Sequence, residues 1–244
     1  MNESSLATAC SDSQAMHPVT TAADSKMCPV FIIGAWKRSG TNFLADLLRL
    51  HPSFAVPPPL WEDYSLHSID LLEEFSKQQV QHWKWWLREA SASPADYEAS
   101  LLHFMGQGLQ EYFRAQIPEG KRLLCKTPST KNLEKFFSLY PSVKLILLVR
   151  DGRDVVESAC RSWTKSRFAY YARQWRDGSR RILNFVSEQG HDYPNQWMLC
   201  RYEDLVHGGD SVVELAKFLE IDDGKVDWKE TDVDHIRGSS TERA

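Results

Sequence analysis

The sequence is short of most features that would mark a membrane-spanning, secreted or metal-loaded protein. No apolar run approaches the roughly 20 residues that a bilayer-spanning helix needs, so no membrane segment is expected. The first 28 residues lack a basic start followed by an apolar stretch and do not read as a secretory signal. They are rich in Ser, Thr, Ala and Asp and are read as a flexible tail, with residues 29–244 as the working domain. The five cysteines (Cys10, Cys28, Cys125, Cys160, Cys200) are odd in number and show no C-x-x-C spacing. That pattern argues against a disulfide framework and a thiolate metal site, and suits free thiols in a reducing, cytoplasmic setting. The alternative location is the Golgi lumen, for a chain trimmed of an N-terminal anchor. No metal-ligand cluster is visible. A basic excess is also missing: the formal net charge is −4, which argues against a nucleic-acid partner. A local basic pocket for a small anion is a separate matter.

What is present is a globular composition, with 25% charged and 11% aromatic residues in 244. This suits one α/β domain or two small ones. Val30-Phe31-Ile32-Ile33 reads as a buried parallel strand, and Thr41 to Leu50 as an amphipathic helix stopped by His51-Pro52. Phe54 to Val56 is a candidate second strand. Residues 65–116 read as helices broken near Ser93-Pro94 and carry Trp83, Trp85 and Trp86. These tryptophans fit packing beneath a helical lid or an aromatic acceptor pocket. Arg122 to Lys126 is the third strand, with a helix expected from Thr130 to Tyr140. Val143 to Val149 is the clearest strand, followed by helices at Asp154–Trp163 and Phe168–Glu188, a fifth strand at Gln196–Cys200 and a helix at Val212–Leu219. No internal repeat is visible. Alternating strands and helices predict a P-loop-like, three-layer α/β/α fold around a mostly parallel five-stranded sheet, with ligands past the carboxyl ends of the strands.

Between the first strand and its helix lies Gly34-Ala35-Trp36-Lys37-Arg38-Ser39-Gly40-Thr41-Asn42-Phe43. A glycine here lets backbone N–H groups curl around an anion that also sees the positive end of the helix. Ser39 and Thr41 add hydroxyls, and Lys37 and Arg38 add charge. The loop is not a Walker loop: five residues separate Gly34 from Gly40, and Thr41 stands where the Walker lysine belongs. Taken alone, Ser-Gly-Thr before a helix also reads as an N-cap. The clearest strand runs into Arg150-Asp151-Gly152-Arg153-Asp154-Val155-Val156-Glu157-Ser158. Arg150 at the strand end and Ser158 two turns into the helix suit a phosphate monoester, whereas Arg153 and Asp154 read as local helix-capping pairs.

On these residues the chain resembles the sulfotransferase family. Its loop is similar to the Pro-Lys-Ser-Gly-Thr or Pro-Arg-Ser-Gly-Thr element, and closer to the latter, which tyrosylprotein and many bacterial members carry. Arg150, Arg153, Asp154 and Ser158 match the family's Arg-x-x-[Arg/Lys]-Asp-x-x-x-Ser, and Arg201-Tyr202-Glu203-Asp204-Leu205 with Phe218-Leu219 matches a late element. The resemblance implies transfer of a sulfuryl group from 3′-phosphoadenosine 5′-phosphosulfate to a hydroxyl or amine, with no metal required. It implies that Arg38 contacts the phosphosulfate bridge, aided by Lys126. Ser39, Gly40, Thr41 and Asn42, beside Lys37, would hold the 5′-phosphate. Phe43 stands where an adenine-stacking ring is found, and Tyr202 lies near adenine. Arg150 and Ser158 would hold the 3′-phosphate, joined by Arg237-Gly238.

The family's Lys-Thr-His segment is here Lys126-Thr127-Pro128, so the histidine base of cytosolic members is missing. The resemblance to tyrosylprotein members points instead to Glu62 in Pro57-Pro58-Pro59-Leu60-Trp61-Glu62-Asp63, with Asp63 and His67 as reserves. A carboxylate in a partly dry pocket can have its pKa raised toward the working range. A solvated acidic pair in a loop is the plainer reading. The acceptor is a small molecule, a carbohydrate or a peptide, and oligomeric state is unreadable. The competing readings are a non-catalytic nucleotide binder of the same fold and a kinase-like phosphotransferase.

Overall fold

The computed structural model describes residues 27–60 and 62–221, and the expectations for the N-terminal tail through residue 26, for Trp61 and for Arg237 and Gly238 lie outside them. Five strands, β1 (Val30–Gly34), β2 (Phe54–Ala55), β3 (Arg122–Thr127), β4 (Lys144–Val149) and β5 (Trp197–Arg201), form one sheet in the order β2-β3-β1-β4-β5. Every pairing is parallel. The α helices are α1 (Thr41–Arg49), α2 (Ile69–Glu89), α3 (Pro94–Arg114), α4 (Phe136–Leu139), α5 (Gly152–Ser162), α6 (Phe168–Glu188), α7 (Tyr202–His207) and α8 (Asp210–Leu219).

Both faces of the sheet are covered, as near-continuous apolar strands require. Because side chains alternate across a strand, Phe31, Ile33, Leu145 and Leu147 face one core with Leu102 of α3, Phe136 of α4, and Ile182 and Phe185 of α6. Val30, Ile32, Ile146 and Leu148 face the other, with Leu44 and Leu48 of α1 and Leu215 and Leu219 of α8. The α/β class, the three layers and the five parallel strands agree with the sequence reading. The chain runs from β1 out to the edge strand β2 and back in to β3 beside β1, then crosses past β1 to β4 and on to β5. The direction of winding therefore reverses at β1, and the carboxyl ends of β1 and β4 flank the crevice in which such sheets bind ligands.

Two local expectations need correction, and one motif acquires a structure. The helix expected over Thr130–Tyr140 is only a 3-10 turn at Leu133–Lys135 and the single turn of α4, because Asn132 takes a left-handed backbone (φ 60°) that interrupts helical propagation. The second strand spans Phe54–Ala55 and does not reach Val56. Tyr202 to His207, read as part of a late motif, is the helix α7.

Far from the crevice, at the amino end of β3, Arg122 is 1% exposed. It donates to the carbonyls of Cys28 and Leu219, tying the entry to β1 to the end of α8.

The long helix α6 backs directly onto the loop after β1. A Cβ on Gly178 would sit 1.8 Å from the Ala35 carbonyl oxygen, so only glycine permits this approach. Gly108, inside α3, has open space around its own Cβ position. Gly178→Ala should therefore lower stability by about 3 kcal/mol through backbone overlap. Gly108→Ala should raise it by about 0.5 kcal/mol, as expected for an open helix position. Urea unfolding of the pair checks this, and losses of equal size would contradict the close approach.

Candidate functional site

The loop after β1 is built by its own backbone. The Trp36 N–H donates to Ser39 Oγ (3.1 Å), and the Ser39 N–H donates back to the Trp36 carbonyl (3.2 Å). Ser39 is consequently fully buried, with its hydroxyl engaged inside the turn. Arg38 adopts φ 73° and Gly40 φ 96°, two left-handed residues separated by one. Alternation of this kind turns successive N–H groups toward one point and forms an anion nest. At Gly40 the requirement is also steric, because a Cβ there would lie 2.3 Å from the Tyr202 ring. Gly40 is the N-cap of α1, and no side chain caps that helix. The first intrahelical bond runs from Leu44 N–H to the Gly40 carbonyl (3.0 Å), so the N–H groups of the first turn have no acceptor within the helix. Thr41 is buried over Gly34, and Asn42 is exposed on the first turn.

A second element converges on this loop from β4. The Arg150 Nη1–H donates to the Arg38 carbonyl (3.4 Å), and its guanidinium lies 4.3 Å from the centroid of the Tyr202 ring. Arg38 in turn donates from Nε to Ser158 Oγ (2.9 Å), across 120 residues of sequence. Lys37 is exposed at the rim, 6.0 Å from the Trp163 ring. Thus Arg38, Gly40, Arg150, Ser158 and Tyr202 meet at one edge of the sheet. Burial, then the Arg150 and Arg161 guanidinium groups, lower the Arg38 pKa from its ordinary value. The buried Arg150 Nε–H has no hydrogen-bond partner among the described residues. A positive pair, an unmatched donor and a nest of N–H groups at a helix start suit a multiply charged anion.

Several supports escaped the sequence reading. Glu203 Oε1 accepts from the Asp151 N–H (2.7 Å), and Trp175 Nε1–H donates to the Arg150 carbonyl (3.0 Å). Together they fix the turn that carries Arg150. Arg153 pairs with Asp151, the N-cap of α5, at 2.5 Å, and Asp154 lies 3.9 Å from Arg150, which agrees with the local-pair reading of those two residues. Phe43 is buried beneath Tyr202, ring centroids 5.3 Å apart and edge to face, so its faces are engaged in packing.

The third component is the segment before α2. Asp63 N–H donates to the Lys126 carbonyl (3.2 Å), and Tyr64 N–H to Thr127 Oγ1 (3.3 Å), which docks this segment on the carboxyl end of β3. The Asp63 carboxylate accepts from Ser65 N–H, Ser65 O–H and Thr127 O–H at 2.9, 2.7 and 2.9 Å. Burial raises the Asp63 pKa against the opposing pull of those bonds. Glu62 points the other way, with Oε1 3.7 Å from the buried Lys126 Nζ. Burial lowers the Lys126 pKa, opposed by Glu62 and Asp46. Tyr64 is itself at φ 48°; burial first, then the interaction of its hydroxyl with the nearby Glu62, raise its pKa. The Tyr64–Glu62 contact had no sequence signal beyond adjacency. His67 Nε2 lies 2.8 Å from Ser129 Oγ, and burial, then Lys131, lower its pKa.

A cavity of about 350 Å³ opens between these components, lined among others by Lys37, Tyr64, His67, Pro128, Thr130 and Arg181. Thr130 Oγ1 is buried there without a partner among the described residues. A neighbouring cavity of about 390 Å³ shares the Trp36 and Lys37 wall. Among the described residues no group of three or more His, Cys, Asp or Glu could hold a metal ion, and no helix is long and apolar enough to cross a membrane. Trp83, Trp85 and Trp86 are exposed on α2 and line none of these cavities.

Comparison with known proteins adds independent findings. A family model described as "Sulfotransferase family" matches residues 29–223. The protein-tyrosine sulfotransferase of Drosophila melanogaster is 25% identical over 204 residues, covering 79% of this chain and 38% of the fly protein. The chain thus spans under two fifths of that relative's length. The sulfotransferase domain of the Synechococcus PCC 7002 olefin synthase shares the fold, with a TM-score of 0.55, 22% identity, and coverage of 88% of this chain and 82% of that one.

Asp63 makes a specific test of the docked segment. Asp63→Ala should destabilise the protein by about 2–4 kcal/mol, since it strands the Ser65 and Thr127 donors. Asp63→Asn should cost less, because the amide oxygen keeps part of the set. The raised native pKa means that the folded state takes up the proton first as pH falls. Wild type should therefore gain stability relative to Asp63→Asn as pH drops from above that raised value toward the ordinary carboxylate range. Chemical denaturation across pH measures both effects, and a pH-independent difference would contradict the raised pKa.

Proposed function

The chain belongs to the sulfotransferase family, and from that premise we propose that it transfers a sulfuryl group from 3′-phosphoadenosine 5′-phosphosulfate to an acceptor hydroxyl, within a domain spanning residues 29–244. The observation that carries this reading is the meeting of Arg38, Arg150 and Ser158 beside the nest at Gly40. Two anion cradles from distant parts of the chain suit a nucleotide phosphorylated at both ends of its ribose. The fit is supported by the unmatched Arg150 Nε–H and by the Gly40 site, which a Cβ would close.

In this reading Arg150 and Ser158 bind the 3′-phosphate. The N–H groups from Gly40 to Phe43, with Thr41 and Asn42, bind the 5′-phosphate, and Tyr202 flanks the base. Ser39 acts by shaping the loop, and Phe43 by supporting Tyr202 from below. Ser158 is shared, since its Oγ already accepts from Arg38. Phosphate at Ser158 competes for that hydroxyl and frees Arg38 to turn toward the bridge between phosphate and sulfate. The donor supplies an activated sulfuryl group on a good leaving group. Arg38 and Lys126 stabilise charge on the departing phosphate, the electrostatic work that such transfers depend on.

Glu62 takes the proton from the acceptor hydroxyl. Lys126 and the Tyr64 hydroxyl orient its carboxylate. The acceptor enters through the cavity bounded by Lys37, Tyr64 and Pro128, which adjoins Arg38 along the chain. Position 128 carries no imidazole, and the His67 imidazole on the same wall is engaged with Ser129 Oγ at 2.8 Å, so Glu62 is placed ahead of it as the base. A phenolic hydroxyl is the acceptor we place first, since the fly relative is named for protein tyrosine.

Adenosine 3′,5′-bisphosphate should raise the melting temperature more than ATP at equal concentration. Arg150→Ala should weaken bisphosphate binding by about 10–100-fold, as expected for loss of a charge-assisted fork, with an unchanged circular dichroism spectrum. Unchanged affinity by calorimetry would remove the 3′-phosphate assignment. Glu62→Gln should slow labelled sulfuryl transfer to a tyrosine-containing peptide library by about 10²–10⁴-fold, with bisphosphate affinity held within about twofold. Retained turnover in that variant would reject Glu62 as the base.

A further inference from the structure

Helices α2 and α3 pack against each other as an antiparallel pair beside the sheet. The inner face of α2 is set by Ile69, Ser76, Val80 and Leu87, all buried. On its opposite side Leu71, Phe75, Trp85 and Trp86 recur near helical spacing and are 71%, 50%, 58% and 63% exposed, with the exposed Gln78 and His82 between the two apolar pairs. Phe104 and Tyr112 on α3 are likewise exposed. A helix that is apolar on both sides is normally covered on both sides.

The edge of this outer face says what covers it. Glu74, Gln81 and Arg88 follow at seven-residue intervals and are all exposed, so they form one row along α2. The row runs acidic, neutral, basic. Glu74 is hydrogen-bonded only by Gln78 of its own helix (2.8 Å) among the described residues, and no ion pair of Arg88 is found among them. We propose that this face is a two-fold interface with a second copy of the same chain. The α2 helices cross antiparallel at Gln81, so that Glu74 of each protomer meets Arg88 of the other.

A two-fold axis relates the same patch on both subunits, which demands self-complementarity. In an antiparallel pair, edge residues on one side meet edge residues on the same side of the partner. A row of the form minus, neutral, plus is complementary to itself in that arrangement. Parallel pairing would put the two rows on opposite sides of the seam, where Glu74 and Arg88 do not meet. An anionic lipid surface is disfavoured by Glu74 together with Asp70 and Glu73, the last two drawn toward Lys135 at 2.7 Å each. A face about 30 Å long and two helices wide presents on the order of 600 Å² per protomer, close to the roughly 800 Å² per partner of ordinary stable interfaces. Trp85 and Trp86 supply the anchors, while the Glu–Arg pairs set register.

Sedimentation velocity of the full chain at about 20 μM, within the concentration range in which ordinary interfaces hold, should show a dimer. Trp86→Glu should give a monomer that still shows the bisphosphate-induced thermal shift, which certifies the fold. Glu74→Arg and Arg88→Glu should each weaken the dimer by about tenfold or more, and the double exchange should recover most of that loss. A monomeric wild type, a dimer indifferent to Trp86→Glu, or a double variant no better than the singles would each overturn the proposal. Binding of a monomeric wild type to vesicles of phosphatidylcholine and phosphatidylserine would assign the face to lipid and overturn it equally.

Discussion

Two guanidinium groups, those of Arg38 and Arg150, are held side by side at the carboxyl edge of the sheet, and the surrounding architecture is arranged around that repulsion. Each has a neutral neighbour that takes part of the load: Ser158 accepts from Arg38, and the Tyr202 ring faces Arg150. The carbonyl of Arg38 accepts from Arg150, so the two residues are joined through the backbone even as their charges oppose. Such an arrangement is costly without an anion and favourable with one, because opposite charge within a partly buried site is screened little by water. Burial first, and then the neighbouring Arg150 charge, lower the Arg38 pKa.

The scaffold meets this demand with backbone conformations that few residues tolerate. Arg38 in the left-handed region costs of order 1 kcal/mol, and the turn closed by Trp36 and Ser39 holds it there. Behind the loop, Gly178 lets α6 approach to backbone contact. Above it, Tyr202 fills the space that any side chain at position 40 would need. The loop is therefore clamped from both faces, and its N–H groups are directed before any ligand arrives.

The carboxylates of the segment before α2 divide their work by environment. Asp63 is enclosed by Ser65 and Thr127 and holds the segment on β3. Glu62, one residue earlier, faces Lys126 at the end of β3. Adjacent carboxylates point in opposite directions because neighbouring residues of an extended segment alternate sides.

Much of this was legible along the chain. The apolar strands, the loop between Gly34 and Thr41, and the polar run from Arg150 to Ser158 all announce themselves locally, since period, breakers and charge are properties of short windows. So does the parallel α/β class, which follows from the alternation of elements. The sequence alone could not show that Ser39 turns inward, that Phe43 is a floor beneath Tyr202, that Glu203 and Trp175 brace Arg150, or that the tryptophans of α2 face outward. Nor could it show how the expected helix after Thr130 is cut short by the left-handed Asn132. Those outcomes depend on which side chains meet across 50 to 120 residues of chain. Contacts at that range are chosen by packing and closure of the whole fold, to which a local window is blind.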